Sequence, residues 1–480
     1  MKYILTTIFL TTFIIGVSTQ SYGQKRKPNV IYILCDDLGY GEVGYNGQQK
    51  IQTPELDKLA NSGMIFTDHY CGNAVCAPSR ASLMTGKHPG HAYIRANSPG
   101  YPKGQTPIKE DAETLGKLMK RAGYSTACIG KWGLGSFHDS GNPNDQGFDL
   151  FYGYTDQRKA HNYYPEYLWL NGEKQMLDNG KGKQNDYSHD LFTAKAINYI
   201  KEKKDVPFFL YLAYTIPHVK WQVPDLAQYK EKDWPERMKI QAAMVSRMSK
   251  DVGAIINLLE ELGIDKNTLV MFNSDNGAHG KGGTTEFFKT SGDLRGIKRS
   301  MYDGGVRSPM FAYWPGKIKA GSTSDHISAF WDVLPTLSDI TNEPLKGETD
   351  GISMLPTLLG KDKKQKQHKY LYWELYEGKP NCAVRYGKWK AVVTDRRKGL
   401  NIELYDVKAD EGEGKNVATE YPDVVKEIAM MMKDAHIKSP YWDKDFKPLF
   451  NAAAACEFNG VEVDESTIWP KPKQKSKNLK

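Results

Sequence analysis

Three shortages in the 480-residue sequence exclude whole classes of protein. Cysteine is scarce, with six residues in a chain far too long to be a mini-domain held together by disulfides. Glycine and proline number 44 and 24, which is too few for a fibrous protein. The net charge is only +8, and with 40% hydrophobic and 11% aromatic residues the chain is too apolar to be disordered. A large globular protein remains.

Long hydrophobic runs are also missing beyond the N-terminus. The apolar run at residues 4–17 follows Lys2, and the small residues Ser21 and Gly23 precede a cleavage point near Gln24. The run is shorter than the roughly 20 residues that span a bilayer, which disfavours the alternative of an uncleaved membrane anchor. We therefore expect a signal peptide at residues 1–23 and an exported protein, periplasmic or secreted, that is not an integral membrane protein.

The net charge says little about partners. One positive charge belongs to Lys2, and five more belong to lysines in the last ten residues: Lys471, Lys473, Lys475, Lys477 and Lys480. The rest of the chain is close to neutral, so we expect no nucleic-acid partner. The lysine-rich end is typical of a solvated tail.

After the signal, short β-rich runs alternate with amphipathic stretches, a pattern that predicts a sheet covered by helices on both faces. The predicted strands include residues 29–35, 124–129, 207–215 and 268–273. The predicted helices include residues 54–63, 111–123 and 237–262. Three of the strands end at polar residues. Ligand sites of open α/β sheets lie beyond the carboxyl ends of strands, so we expect these residues to meet.

The composition changes at residues 361–369, where KDKKQKQHK is typical of a solvated linker. Beyond it, short runs predict antiparallel strands at 370–375, 382–386, 389–394 and 402–405, followed by a helix at 422–437. We therefore predict a main domain over residues 24–365 and a smaller α+β subdomain with a basic tail over residues 366–480.

The most informative stretch is residues 75–90, VCAPSRASLMTGKHPG. Its core from Cys76 to Arg80, with the trailing Thr85 and Gly86, resembles the signature of the type I, formylglycine-dependent sulfatases. The resemblance implies that a maturing enzyme oxidises Cys76 to formylglycine, whose hydrated aldehyde is the nucleophile. A geminal diol can expel sulfate by re-forming its carbonyl, which a plain serine or cysteine cannot do. The alternative is a structural thiol or a disulfide partner.

Two polar pairs supply the expected metal ligands. The resemblance implies that Asp36 and Asp37, after the first strand, and Asp275 and Asn276, after a later one, bind a metal together with the modified Cys76. Oxygen ligands suit Ca²⁺ best, with Mg²⁺ as the second choice. Three carboxylates in one pocket would also repel one another without a cation. Each pair taken alone is an ordinary turn sequence, which is the alternative.

A second stretch, GYSTACIGKWGLG, resembles another sulfatase signature and implies that Lys131 binds a sulfate oxygen. The family has histidine two residues after this lysine, where this chain has Gly133. His138 and His161 are the candidates to replace that histidine. We favour His161 because the run at residues 157–164 is crowded with polar and aromatic side chains, although a lone histidine is more often structural.

Three further residues complete the catalytic set that the resemblance implies. His218, which follows the predicted strand at residues 207–215, would protonate the leaving alcohol oxygen. Lys298, in the stretch LRGIK, would contact the sulfate and the leaving oxygen, with ordinary surface charge as the alternative. Arg80 would hold the formylglycine and its loop through its planar fork of donors.

The resemblance implies an alkaline-phosphatase-like α/β fold, a large mixed sheet flanked by helices with a smaller C-terminal subdomain that contains an antiparallel sheet. It also implies a carbohydrate sulfatase of the arylsulfatase-like, bacterial kind, with sulfated galactose or N-acetylgalactosamine as the candidate unit. Aromatic residues between Tyr152 and Trp169, and Trp373 beside Glu374, either stack on sugar rings or pack in the core. Two alternatives stay open: hydrolysis of phosphate or phosphonate esters, and sulfated-glycan binding with weakened catalysis, which Gly133 favours.

Overall fold

A computed structural model describes residues 26–97, 99–100, 104–439 and 442. The predicted signal peptide at residues 1–23, Cys456 and the basic tail lie outside the described residues. The strands are β1 Asn29–Asp36, β2 Met64–Phe66, β3 His69–Tyr70, β4 Pro99–Gly100, β5 Gly104–Gln105, β6 Ser125–Lys131, β7 Leu150–Tyr154, β8 Tyr167–Leu170, β9 Glu173–Met176, β10 Phe208–Pro217, β11 Thr268–Ser274, β12 Met310–Tyr313, β13 Ser322–Ser324, β14 Ser328–Ala329, β15 Leu371–Leu375, β16 Asn381–Tyr386, β17 Trp389–Val393 and β18 Glu403–Asp406. The helices are α1 Pro54–Ser62, α2 Cys76–Thr85, α3 Leu115–Arg121, α4 Ser188–Lys203, α5 Glu236–Glu261, α6 Thr284–Phe288, α7 Asp303–Val306, α8 Val333–Thr341, α9 Leu355–Leu358 and α10 Pro422–Asp434.

Ten strands form one mixed sheet in the order β13-β2-β12-β11-β1-β10-β6-β7-β8-β9. The strands from β11 to β7 run parallel, whereas β12 and β8 pair antiparallel at either side. Every residue of β1 is buried. Val30 and Tyr32 pack in one core and Ile31 and Ile33 in the other, because successive side chains of a strand point to opposite faces. The prediction of a sheet covered on both faces is confirmed.

The helix predicted at residues 111–123 is shorter in the structure and forms α3 alone. It begins after Thr114, whose side chain accepts a hydrogen bond from the Lys117 amide and satisfies one of the first free N–H groups of the helix. Glu113 lies outside the helix and instead accepts hydrogen bonds from Arg121. The start of the helix is therefore set by its N-cap and not by the acidic residues before it.

A second sheet, of four antiparallel strands in the order β15-β16-β17-β18, carries α10 on one face. A buried ion pair joins this second sheet to α7: Lys390 Nζ lies 2.7 Å from Asp303 Oδ1, and neither side chain is exposed. Residues 361–369 are mostly exposed, as expected of a solvated linker, but Gln365 is buried because its side chain bonds Thr357 and the Ser353 carbonyl. Within the described part of the chain, no helix has the length and apolar character needed to cross a membrane.

Candidate active site

Four neighbouring parallel strands end on the same side of the sheet, which we call its carboxyl edge. Each ends at or just before a residue that the sequence predicts to be functional. Asp36 ends β1 and Lys131 ends β6, whereas Asp275 follows β11 and His218 follows β10. These strands are neighbours in the order β11, β1, β10, β6. Residues more than 90 positions apart in sequence therefore meet, as expected at the carboxyl edge of a parallel sheet.

Cys76 is the first residue of α2 and lies at the centre of this edge. Its thiol donates to Asp36 Oδ1 at 3.2 Å, and Lys298 Nζ lies 3.3 Å from its sulfur. Burial, with the nearby charges of Asp275 and Asp36, raises the pKa of the Cys76 thiol well above its usual range. An unmodified Cys76 is thus a protonated thiol at neutral pH and a poor nucleophile.

The cysteines of the described chain carry no disulfide. Five are buried with free thiols: Cys35, Cys71, Cys76, Cys128 and Cys382. Cys76 therefore has no disulfide partner among the described residues, which disfavours that alternative.

Arg80 lies one helical turn after Cys76 and is completely buried. Its Nε and Nη2 atoms donate to Asp275 Oδ2 at 3.0 and 2.8 Å, and Nη1 donates to the Lys131 carbonyl at 2.8 Å. One guanidinium thereby ties α2 to the ends of β11 and β6. Only a planar fork of donors can make these contacts together.

Each carboxylate of the site already has a basic partner. Lys131 Nζ lies 2.6 Å from Asp36 Oδ2, and Lys298 Nζ lies 2.6 and 2.8 Å from the two oxygens of Asp37. Burial favours protonated Asp37, yet the His218 and Lys298 side chains hold its pKa at about 2. The sequence argument that three carboxylates require a metal to relieve their repulsion is therefore incomplete, because the fold supplies three cationic side chains: Arg80 for Asp275, Lys131 for Asp36 and Lys298 for Asp37.

The donor set nevertheless fits a hard divalent cation. Asn276 Nδ2 donates to Asp37 Oδ1 at 2.7 Å, but the buried Asn276 Oδ1 has no hydrogen-bond donor among the described residues. Burial and the neighbouring Asp36 raise the pKa of Asp275 to about 7, so its ionised form gains from further positive charge. An orphaned amide oxygen beside three buried carboxylates is the type of ligand set that Ca²⁺ or Mg²⁺ takes.

Ligand atoms of Asp36, Asp37, Cys76 and His218 lie within 4.8 Å of one another, which adds a histidine to the predicted cluster. His218 Nε2 lies 3.3 Å from Asp37 Oδ2 and 3.2 Å from Lys298 Nζ. Burial lowers the pKa of His218 to about 4, so the free site holds it neutral at pH 7. The sequence suggested Tyr163 only for sugar stacking or core packing, but its hydroxyl donates to the His218 carbonyl at 2.6 Å and fixes the backbone there.

Of the two histidines proposed to replace the missing family histidine, His161 is the one at the site. Its ring stacks on His218 at a centroid distance of 3.8 Å and an interplanar angle of 16°. Burial, with the charges of His218 and Lys131, lowers the pKa of His161 to about 2. His138 is exposed, and its backbone amide bonds the Ser136 hydroxyl.

A third histidine, His279, was not singled out in the sequence although it stands three residues after Asn276. Its ring meets His218 edge-on at 5.9 Å. The short spacing from a predicted ligand is the signal that could have found it.

Most of the aromatic residues considered for sugar stacking are core residues. Tyr152, Tyr154, Tyr163 and Tyr164 are buried, and only Tyr167 and Trp169 are half-buried. Trp373 is fully buried and donates to the Cys71 carbonyl, and Glu374 pairs with Arg95. Core packing, the alternative to sugar stacking, therefore explains the buried residues of this set.

Known proteins resemble this chain over most of its length. Residues 28–343 match the family described as Sulfatase, and residues 296–438 match the one described as N-sulphoglucosamine sulphohydrolase, C-terminal. N-acetylgalactosamine-6-sulfatase of Mus musculus is 32% identical, over 77% of this chain and 72% of its own length. N-acetylgalactosamine-6-O-sulfatase of Bacteroides thetaiotaomicron is 27% identical, over 85% and 93%. A solved structure of Ps i-CgsB in complex with k-i-k-neocarrahexaose superposes with a TM-score of 0.75 and 28% identity, over 89% of this chain and 99% of its own.

Proposed function

The chain belongs to the sulfatase family and is a sulfuric ester hydrolase, and from this premise we propose that it removes sulfate from a sulfated carbohydrate by way of a formylglycine formed at Cys76. The observation that carries the proposal is the position of Cys76 at the start of α2, between Asp36 at 3.2 Å and Lys298 at 3.3 Å. A nucleophile there meets cationic side chains for sulfate and the positive end of a helix.

Residues of this chain can carry out each bond change and proton transfer of the reaction. One hydroxyl of the hydrated aldehyde at position 76 passes its proton to Asp36, which lies 3.2 Å from the side chain at this position, and its oxygen attacks sulfur. The negative charge of the bound sulfate favours the protonated form of His218, which gives its proton to the sugar oxygen as the bond from sulfur to that oxygen breaks. The remaining hydroxyl then gives its proton to the now neutral His218, the carbonyl re-forms, and sulfate leaves, while Asp36 releases its proton to solvent. Water hydrates the aldehyde for the next turnover.

The other site residues bind and orient. Lys131 and Lys298 hold sulfate oxygens, and Lys298 also faces the leaving oxygen because it lies 3.2 Å from His218 Nε2. Arg80 keeps α2 in register with the strand ends. His161 supports His218 through the stacked rings.

A divalent cation, Ca²⁺ first and Mg²⁺ second, would be held by Asp36, Asp37, Asp275 and Asn276 together with the modified residue 76. When bound, it supplies positive charge that polarises the sulfate oxygens and favours the ionised diol. Lys131 and Lys298 neutralise Asp36 and Asp37 in this structure and would share that role with the cation.

The activities for which the relatives are named support the substrate class. Two relatives are an N-acetylgalactosamine-6-sulfatase and an N-acetylgalactosamine-6-O-sulfatase, and a similar structure is in complex with k-i-k-neocarrahexaose. We therefore assign a sulfated N-acetylgalactosamine or galactose unit as substrate. The maturing enzyme acts on Cys76 as partner, and residues 1–23 direct export to the periplasm or the medium.

The experiment has two stages. First, the peptide containing residue 76 is analysed by mass spectrometry in protein purified from a host with a maturing enzyme; replacement of sulfur and two hydrogens by one oxygen shows the aldehyde. Second, 6-sulfated and 6-phosphorylated N-acetylgalactosamine are assayed in parallel, with Cys76→Ala as the blank. Unmodified cysteine in active protein, or faster phosphate release, would overturn the proposal, and binding without release would favour a glycan-binding protein.

A further inference from the structure

Gly133 stands where the family places a histidine, and in this structure a side chain there would be strained and would meet the end of the Gln157 side chain. Its backbone has φ of +76°, a left-handed conformation that glycine adopts freely and other residues adopt with strain. A Cβ built on it would lie 2.3 Å from the Nε2 atom of Gln157. The space beside the Gly133 backbone, where the family histidine would begin, is therefore not left empty. The Gln157 carboxamide occupies it.

The end of the Gln157 side chain has an unused donor. Gln157 is only 8% exposed, and its Nε2 atom finds no acceptor within the described part of the chain. A buried N–H group without a partner is unfavourable, whereas an apolar side chain of the same length would fill the space at no such cost. The chain therefore keeps an amide donor at a place where packing alone does not call for one.

Two elements of the active site flank this donor. Gly133 follows the strand end that carries Lys131, and its amide donates to the Thr155 carbonyl, which ties that segment to the loop holding Gln157. The same loop continues as the turn that stacks His161 on His218. Asp156 fixes the turn by accepting hydrogen bonds from the Arg158 and Lys159 amides.

We propose that Gln157 is a further substrate-binding residue, whose Nε2 donates a hydrogen bond to a sulfate oxygen in place of the side chain that is absent at Gly133. The ligand is a tetrahedral, anionic sulfate group. The proposal rests on the proposed sulfatase function and adds to it a neutral donor beside Gly133, two residues after Lys131.

The test compares wild type with Gln157→Met, which has the same length but no N–H donor. We expect the Kd for inorganic sulfate to rise and kcat/KM on the 6-sulfated sugar to fall about 10²-fold, as for the loss of one donor to a developing anion. We expect Tm to stay the same or increase, because a buried donor without a partner is removed. Gln157→Glu, which places negative charge against sulfate, should lose at least as much activity as Gln157→Met.

The matched control is Arg158→Ala, an exposed neighbour in the same turn, which should leave both readouts at wild-type values. Unchanged sulfate affinity and kcat/KM in Gln157→Met would reduce Gln157 to a space-filling residue and overturn the inference. If wild type carries the aldehyde but releases no sulfate, the proposed function fails by itself. Gln157 is then judged on inorganic sulfate alone: weaker binding in Gln157→Met supports its role, and equal binding overturns it.

Discussion

Arg80 holds Asp275 through two nitrogens on one oxygen: Nε and Nη2 lie 3.0 and 2.8 Å from Oδ2. The other oxygen, Oδ1, accepts the Asp37 amide at 3.1 Å. One arginine on α2 therefore orients a carboxylate that in turn fixes the backbone at the end of β1. The geometry of the candidate cation site depends on this pair.

Arg80→Lys should disrupt the site although it keeps the charge. A lysine cannot contact both Asp275 and the Lys131 carbonyl, so we expect a loss of about 3 kcal/mol in unfolding free energy and at least a 10²-fold loss of kcat. Denaturant unfolding measures the loss of stability, and turnover of a sugar sulfate measures the loss of kcat. Arg121→Lys is the control, because its pair with Glu113 is part-exposed and should change stability by less than about 1 kcal/mol. Equal effects of the two substitutions would contradict the structural role of Arg80.

His218→Gln tests proton donation to the leaving oxygen. General acid catalysis contributes about 10²–10⁴-fold, and it matters most when the leaving alcohol is weakly acidic. We expect kcat/KM to fall by about that factor on a sugar sulfate and by much less on a nitrophenyl sulfate, whose phenolate leaves unaided. His138→Gln, at an exposed histidine, should leave both rates unchanged. Equal losses of His218→Gln on the two substrates would assign His218 to sulfate binding instead.

Removal of divalent cations should lower the stability of the protein. If Ca²⁺ binds at Asp37 and its neighbours, a concentration 100 times Kd adds about 2.7 kcal/mol to the unfolding free energy. Thermal unfolding in EDTA, then with Ca²⁺ or Mg²⁺ restored, measures the effect. Asp37→Asn should abolish the response, whereas Asp251→Asn, outside the cluster and paired with His189, should retain it. Unfolding curves that do not shift with either cation would rule out the site.

A buried histidine away from the active site should make the protein sensitive to acid. Burial lowers the pKa of His69 from 6.5 to about 3, and its Nδ1 lies 2.9 Å from the Ser328 hydroxyl. Between those values the unfolded state binds a proton that the folded state does not, so stability falls as pH falls, by up to about 1.4 kcal/mol per pH unit. His69→Asn should flatten the slope of unfolding free energy between pH 6 and about pH 4, and His138→Asn should not. An unchanged slope in His69→Asn would show that other groups dominate.

The sequence alone is informative about the elements that carry the site. The apolar run at residues 29–35 predicts β1, and the run at 268–273 predicts β11, because buried parallel strands must be apolar on both faces. The Cys76 motif is contiguous, so its chemistry can be read without the fold. The start of α3 is less predictable, because the acidic residues before Thr114 also suit a first helical turn.

The sequence by itself determined the family motif, the central strands and the polar residues at their ends, since short-range pattern and side-chain chemistry fix these. Only the tertiary structure decided which cation meets which carboxylate: Lys131 pairs with Asp36 across 95 positions, and Lys298 with Asp37 across 261. It also placed His161, and not His138, on His218 and brought Gln157 against Gly133. Strand order and loop course set these contacts, and neither is encoded in local spacing.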